Sequence, residues 1–180
     1  IEWFEGTWSR YKPERGKDKR GITGYEEDKL KFISEKINTI PEEKNIHKTI
    51  TKIFSARKEN IEKGTKIDWS SAEALAFGSL LDEGYPVRLV GQDSGRGTFS
   101  QRHSVLRNQT DNSRYIPLNN ISDSQKQFEI VDSFLSELAV LGFEYGYSLV
   151  EPNTLTLWEA QFGDFANGAQ VVIDQFIASG

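Results

Sequence analysis

Short apolar segments alternate with helix-like segments from about residue 68 onward, and this alternation leaves few folds open to the chain. Segments 87–90, 128–131 and 154–158 are rich in β-branched and apolar residues, which predicts three short buried strands. Helical patterns precede the first strand and separate the second from the third. Since strands joined through helices form parallel sheets, we predict an α/β fold, with a parallel sheet flanked by helices.

The predicted helices carry recognisable end signals. Ser70 followed by Glu73 fits a capping box, in which each side chain accepts a hydrogen bond from the other residue's backbone N–H. The apolar residues that follow cover most of the helix circumference, so we expect this helix to be buried. Gly84 stands where a left-handed residue commonly ends a helix. A longer helix is predicted over 136–149, with Ser136 as its N-cap.

Residues 1–66 are more charged and less apolar than the rest of the chain. Apolar residues recur there at helical spacing over 25–37 and 45–62, which predicts two amphipathic helices. The basic run over 12–20 is more typical of a solvated loop than of an anion site. We therefore predict a helical extension (1–66) followed by an α/β domain (67–180).

Composition excludes several classes of function. The net charge of −5, without a dominant basic stripe, argues against a nucleic-acid partner. No apolar run is long enough to span a membrane. The chain has no cysteine, and its two histidines, His47 and His103, are far apart in sequence, so we predict no metal site. Because the chain opens with Ile1 and contains no methionine, we expect it to be a piece of a longer polypeptide.

Polar and aromatic residues follow each predicted strand. Gln92 and Asp93 come after the first strand, Glu137 lies in the first turn of the helix after the second, and an acidic, aromatic turn (159–165) follows the third. Parallel strands present their carboxyl ends at one edge of a sheet, where α/β proteins bind ligands. An acid, an amide and aromatic rings suit a flat heterocycle. The alternatives are a helix-terminal acid and ordinary core phenylalanines.

Four blocks of sequence carry a family resemblance: IDWSSAEALAFGSLL, VRLVGQDSGRGTFSQRHSVL, LSELAVLGFEYGYSL and TLTLWEAQFGDFANGAQVVIDQFIASG. In this order they closely resemble the first, decarboxylating components of bacterial 2-oxoglutarate dehydrogenase complexes, over about 45–180. The resemblance implies the domain that holds the aminopyrimidine ring of thiamine diphosphate, truncated at its C-terminal end. It also implies that a domain outside this chain holds the Mg²⁺ and the diphosphate.

The resemblance assigns roles to single residues. Glu137 occupies the position of the carboxylate that hydrogen-bonds the pyrimidine ring nitrogen and promotes proton transfer. Phe165 matches the aromatic residue on which the ring stacks. Leu135 is expected near the ring, and Gln92, a further cofactor-binding candidate, lies with Asp93 on the polar edge that these enzymes bring close to the dimer axis.

Arg102 and His103 are weaker candidates for the site. An arginine can grip a substrate carboxylate through two N–H groups, but an internal or interfacial salt bridge is the commoner role. The glycines at 91, 95 and 97 lack the spacing of a dinucleotide-binding motif, so that class of site is excluded.

The resemblance also implies a whole-enzyme function. Such an enzyme decarboxylates 2-oxoglutarate in the tricarboxylic acid cycle and passes the succinyl group to a lipoyl arm of the dihydrolipoyl succinyltransferase component. It is expected to be a homodimer in the bacterial cytoplasm. A 2-oxoadipate-type relative is the enzymatic alternative. For the isolated chain, which we expect to be inactive, the alternative is a non-catalytic dimerisation module.

Overall fold

The computed structural model describes residues 6–12 and 21–179, so most of the predicted basic loop, 13–20, lies outside the described residues. The α-helices are α1 (Glu27–Asn38), α2 (Lys48–Glu62), α3 (Trp69–Asp82), α4 (Glu137–Val150) and α5 (Gln170–Val172). The strands are β1 (Val87–Gly91), β2 (Leu106–Arg107), β3 (Arg114–Tyr115), β4 (Phe128–Asp132) and β5 (Leu155–Glu159). Shorter 3₁₀ turns cover Thr7–Arg10, Pro117–Asn119 and Gly163–Ala169, and a π-helical turn covers Ile173–Ile177. The predicted alternation of helices and strands is confirmed.

A three-stranded parallel sheet is the centre of the fold, with the order β4-β1-β5. Val87 pairs with Phe128 on one side and with Leu155 on the other. Every residue of β1 is buried, as expected for a central strand covered on both faces. The predicted parallel sheet is therefore confirmed, while the small antiparallel pair β2-β3 was not predicted.

The start of α3 differs from the sequence prediction. Asp68 is the N-cap, and its carboxylate accepts a hydrogen bond from the backbone N–H of Ser71 at 2.7 Å. The predicted capping box of Ser70 and Glu73 is therefore wrong, because the helix begins at Trp69 and Ser70 already lies in its first turn. The predicted left-handed residue after the helix is confirmed, since Gly84 has a φ of +93°.

The main hydrophobic core joins α1, α3 and the sheet. Ile33 of α1 is fully buried. A Cβ added at Gly78 of α3 would lie only 2.5 Å from Cγ2 of Ile33, so the two helices pack closely there. Leu81 and Phe128 are buried in the same core. The expected burial of α3 is confirmed for the face that carries Leu75, Phe77 and Leu81, whereas Trp69 and Ala76 are exposed. Since α1 lies within the predicted extension, that segment contributes directly to the core.

Helix α4 connects β4 to β5 and packs against β1. Its N-cap is Ser136, as predicted, and the Ser136 hydroxyl accepts from the backbone N–H of Ala139 at 3.4 Å. On the buried face, Arg88 of β1 donates to both carboxylate oxygens of Glu144, at 2.7 and 2.9 Å. This ion pair fixes α4 against the sheet and so fixes the place of Glu137, the first residue of α4.

Candidate functional site

The three predicted segments meet at a narrow crevice at the carboxyl ends of β1 and β5. The crevice is lined by Gly91, Gln92, Ser133, Leu135, Glu137, Val140, Trp158, Glu159, Ala160 and Gln161. The ends of β1 and β5 lie close together there, because a Cβ at Gly91 would overlap the backbone carbonyl oxygen of Glu159 and glycine has none. The structure thus brings together three of the predicted site residues: Gln92, Leu135 and Glu137.

Glu137 is the first residue of α4 and carries a carboxylate at the N-terminal end of this helix. Glu137 is half-buried. A Cβ added at Gly168 would lie 3.4 Å from Glu137 Oε2, so the turn after β5 packs against the Glu137 side chain. Among residues 6–12 and 21–179, we find no hydrogen bond or ion pair to the Glu137 carboxylate. The positive end of the helix dipole favours a negative charge there. This carboxylate is therefore able to bind a donor supplied by a ligand.

Phe165 lies on the same turn but outside the crevice lining. Its ring packs edge-on against Phe162, with the centroids 5.8 Å apart, and Phe162 packs in the same way against Phe99 at 5.7 Å. Phe162 and Phe165 keep 46% and 43% of their surface exposed. The core alternative for these two phenylalanines does not hold, because nearly half of the surface of each residue is exposed.

The loop after β1, residues 92–105, is held in an unusual conformation beside the crevice. Asp93, Ser100 and His103 all have φ between +52° and +56°, a region that costs free energy for residues other than glycine. Contacts from other elements hold the loop in place. Asp93 accepts from Gln161 Nε2 at 3.0 Å, and Asp132 Oδ1 accepts from the backbone N–H of Gly95 at 2.8 Å.

Arg102 is buried, and its guanidinium is already engaged. It donates to both carboxylate oxygens of Glu73, at 2.6 and 3.1 Å, and to Glu159 Oε2 at 2.5 Å. It also donates to the backbone carbonyl of Ser94 at 2.8 Å. The substrate-carboxylate interpretation is therefore replaced by the alternative, an internal salt bridge. Glu73 and Glu159 could not be identified as its partners from sequence, because they lie 29 and 57 residues away.

His103 is directed to a different place from the crevice. It lines a small pocket together with Arg57 and Asn38, and its backbone N–H donates to the carbonyl of Arg96 at 3.0 Å. Burial lowers the pKa of His103 below its usual 6.5, and the positive charges of Arg57 and Arg96 lower it further. The structure does not bring His103 together with Glu137.

The described part of the chain contains neither a cluster of metal-binding side chains nor a membrane-spanning helix. Residues 6–12 and 21–179 contain no group of three or more histidine, cysteine, aspartate or glutamate side chains that could hold a metal ion. Within the same residues, no helix combines the length and the apolar character needed to cross a membrane.

Comparison with known proteins identifies the type of domain. The family described as "Transketolase, pyrimidine binding domain" matches residues 65–180. The whole chain is 52% identical to the "2-oxoglutarate dehydrogenase E1 component" of Brucella canis and 53% identical to that of Brucella anthropi, over an alignment of 182 positions in each case. The chain spans 18% of the length of each of these relatives. By the family match, the chain belongs to the transketolase pyrimidine-binding domain family.

Proposed function

We propose that this chain is the part of a 2-oxoglutarate dehydrogenase E1 component that holds the aminopyrimidine ring of thiamine diphosphate. The observation that carries the proposal is the half-buried carboxylate of Glu137 in the crevice, without a partner among the described residues. The family match and the names of the relatives support the same cofactor and the same enzyme.

The residues present fit the ring. The ionised Glu137 carboxylate can accept a hydrogen bond from a protonated ring nitrogen. When Glu137 carries the proton, its carboxyl group can donate a hydrogen bond to the ring nitrogen. Val140 and Leu135 supply apolar walls, and Gln92 supplies an amide at the rim. Phe165 offers an exposed aromatic face on the turn that touches Glu137 through Gly168. This combination of one acid, one amide and apolar surface is what a flat, hydrogen-bonding heterocycle requires.

The chain's own residues then position the ring and handle one proton. Bound thiamine diphosphate supplies the nucleophilic carbon and the electron sink for decarboxylating a 2-oxo acid. Glu137 is half-buried, and it would hold or release a proton at its carboxylate oxygen. A shielded carboxyl group shares a proton with a ring nitrogen more effectively than an exposed one.

The activity of the whole enzyme is part of the proposal. We assign 2-oxoglutarate as substrate, rather than 2-oxoadipate, because the relatives carry that name. The succinyl group passes to the lipoyl arm of a dihydrolipoyl succinyltransferase, in the bacterial cytoplasm. Another domain holds Mg²⁺ and the diphosphate, and the pyrimidine-binding domain occupies 67–180 of this chain. The enzyme is a homodimer that uses the open face of α4, where Ala139 and Gly146 are exposed.

The test is Glu137→Gln in the full-length enzyme, measured as the turnover of 2-oxoglutarate. Glutamine keeps the shape of the side chain but cannot carry the proton, so we expect kcat to fall by about 10²-fold or more. The dissociation constant of thiamine diphosphate should change by less than about tenfold, since one hydrogen bond is altered.

Glu62→Gln is the matched control. Glu62 is an exposed carboxylate on α2, away from the crevice, so wild-type turnover is expected. If Glu137→Gln retained wild-type turnover, Glu137 would not be the proton-transferring acid, and the proposal would be wrong in its central residue.

A further inference from the structure

Arg57 of α2 is a buried cation that binds backbone carbonyls instead of a carboxylate. The residue is 8% exposed, and no ion pair within residues 6–12 and 21–179 involves it. Arg57 Nη1 donates to the carbonyl of Arg102 at 3.2 Å, and Arg57 Nη2 donates to the carbonyl of Gln101. Because a guanidinium presents its N–H groups in one plane, two bonds to neighbouring carbonyls fix the backbone between them.

The two carbonyls belong to a strained part of the loop 92–105. Ser100 and His103 flank them and have φ of +54° and +52°. Positive φ costs free energy for residues other than glycine, so such a conformation persists only where surrounding contacts hold it. Within the described residues, Arg57 is the one donor to the carbonyls of Gln101 and Arg102.

Backbone hydrogen bonds connect this end of the loop with its beginning. The N–H of Arg102 donates to the carbonyl of Arg96 at 3.0 Å. The N–H of Gly97, the next residue after Arg96, donates to the carbonyl of Asp93 at 2.7 Å. Asp93 directly follows Gln92, which lines the crevice. The contacts of α2 with the loop are therefore connected with the rim of the crevice.

Arg57 lies outside the part of the chain that matches the pyrimidine-binding domain, which is 65–180. Other contacts of the loop come from within that part. Asp132 Oδ1 accepts from the backbone N–H of Gly95 at 2.8 Å, and Glu73 accepts from the Arg102 side chain. The helical extension thus adds contacts to a loop that belongs to the domain.

We propose that Arg57 is a positioning residue of the site: by binding the carbonyls of Gln101 and Arg102, it fixes the loop 92–105 and so keeps Gln92 at the rim of the crevice. The inference rests on the proposed function and deepens it. It gives the extension, through α2, a part in binding the aminopyrimidine ring. The alternative is a structural role, in which Arg57 stabilises the fold without affecting the ring.

Hydrogen–deuterium exchange of the full-length enzyme tests whether Arg57 fixes the loop. Arg57→Met keeps a long apolar side chain beside the Phe54 ring but removes both donors. Exchange in peptides from 95–105 should become at least about tenfold faster, because local opening of the loop then costs less free energy. Ile61→Val is the matched control, since Ile61 is buried on the same helix and its side chain donates no hydrogen bond. In this control, exchange of the same peptides should stay within about threefold of the wild type.

The dissociation constant of thiamine diphosphate, measured by fluorescence quenching, tests the consequence for the site. Arg57→Met should raise this constant by about fivefold or more, as for the loss of one hydrogen bond, and Gln92→Ala should raise it to a similar extent. Ile61→Val should leave it unchanged. The double variant Arg57→Met/Gln92→Ala should bind no more weakly than Gln92→Ala, because Arg57 acts through Gln92.

Several outcomes would overturn the inference. Arg57 would be a structural residue if Arg57→Met left loop exchange unchanged, or if it kept wild-type affinity for the cofactor. A role through Gln92 would be excluded if Gln92→Ala bound the cofactor like the wild type, or if Arg57→Met weakened binding equally with and without the Gln92 side chain.

Arg57→Lys covers the case in which Arg57→Met does not fold. Lysine keeps the charge but lacks the planar fork that binds two carbonyls, so loop exchange should again become faster. Unchanged exchange in Arg57→Lys would contradict the inference. Failure of the proposed function looks different, because the wild type would then not bind thiamine diphosphate, while loop exchange would still report the contacts of Arg57.

Discussion

Phe165 combines a packed ring edge with an open ring surface. Its packing partner Phe162 orients the ring, and the exposed 43% remains available to a ligand. A ring held in this way gives contact area without a further loss of side-chain freedom on binding. The role of Phe165 is therefore best tested through the affinity for the cofactor.

We predict that Phe165→Ala weakens thiamine diphosphate binding in the full-length enzyme by about tenfold, the value of one good aromatic contact. Turnover at saturating cofactor should change less than in Glu137→Gln. Phe99→Ala is the control, because Phe99 packs on Phe162 at the far end of the same aromatic row. The dissociation constant can be measured by fluorescence quenching, and an equal loss in both variants would contradict a specific stacking role for Phe165.

His103 predicts a pH dependence of stability. Burial and nearby arginines lower its pKa in the folded state, so the unfolded chain binds more protons just below pH 6.5. The free energy of unfolding should therefore be constant above about pH 6.5 and fall as the pH decreases through the window below it.

His103→Asn is the matched variant for this prediction. Asparagine does not titrate, and it tolerates the positive φ of +52° at this position better than most residues. Urea unfolding at several pH values should show a flatter profile in the variant between about pH 5 and 6.5. An unchanged profile would assign the pH dependence to other groups.

At the scale of single elements, the N-terminus of α3 offers a direct comparison of two caps. Asp68→Ala should lower the free energy of unfolding by about 1 kcal/mol, since it removes the acceptor of the Ser71 N–H. Ser70→Ala should cost less than Asp68→Ala, because Ser70 is not the cap. Equilibrium denaturation measures both, and the reverse order would restore the capping box.

The elements were largely predictable because their signals are local. Strand and helix periodicity located β1, β4, β5 and α4 to within about one residue, since hydrophobic patterns reflect which face is buried. The cap of α3 was misplaced because Asp68 and Ser70 are both good cap residues and sequence alone does not rank them. The ion pairs of Arg102 were not predictable, because their partners come from distant elements.

The same limitation applies to the pair that joins β1 to α4. Arg88 and Glu144 are both buried and are 56 residues apart in sequence. Glu144→Gln should lower the free energy of unfolding by about 3 kcal/mol, because it removes the buried one of the two carboxylates that pair with Arg88. Glu129→Gln is the control, with an expected loss below about 1 kcal/mol, since the Glu129 side chain is 47% exposed. Similar losses in denaturant titrations would show that burial does not decide the strength of these pairs.

At the scale of the whole molecule, apolar side chains on α4 and just before it are exposed. Phe134, just before the helix, is 98% exposed, and Phe143 is 60% exposed. A Cβ at Gly146 would meet nothing within 4 Å, so the backbone there is accessible. Apolar side chains around an accessible backbone are typical of a surface that another subunit covers.

We predict that Gly146→Arg weakens the proposed homodimer of the full-length enzyme at least about tenfold, because a long charged side chain would occupy the proposed contact. Sedimentation velocity over a range of concentrations measures the dissociation constant. Ser55→Arg, at an exposed position on α2, is the control and should dimerise normally. A normal dimer in Gly146→Arg would move the interface away from this face.

The strand order β4-β1-β5 has a consequence for biosynthesis. The central strand begins at residue 87, but its two partners begin only at residues 128 and 155. A ribosome therefore releases the middle of the sheet long before either edge, while α1 and α3 can already pack together. Pairings between such distant segments form late in folding. The crevice needs the ends of both β1 and β5, so it is completed only after the last strand has emerged.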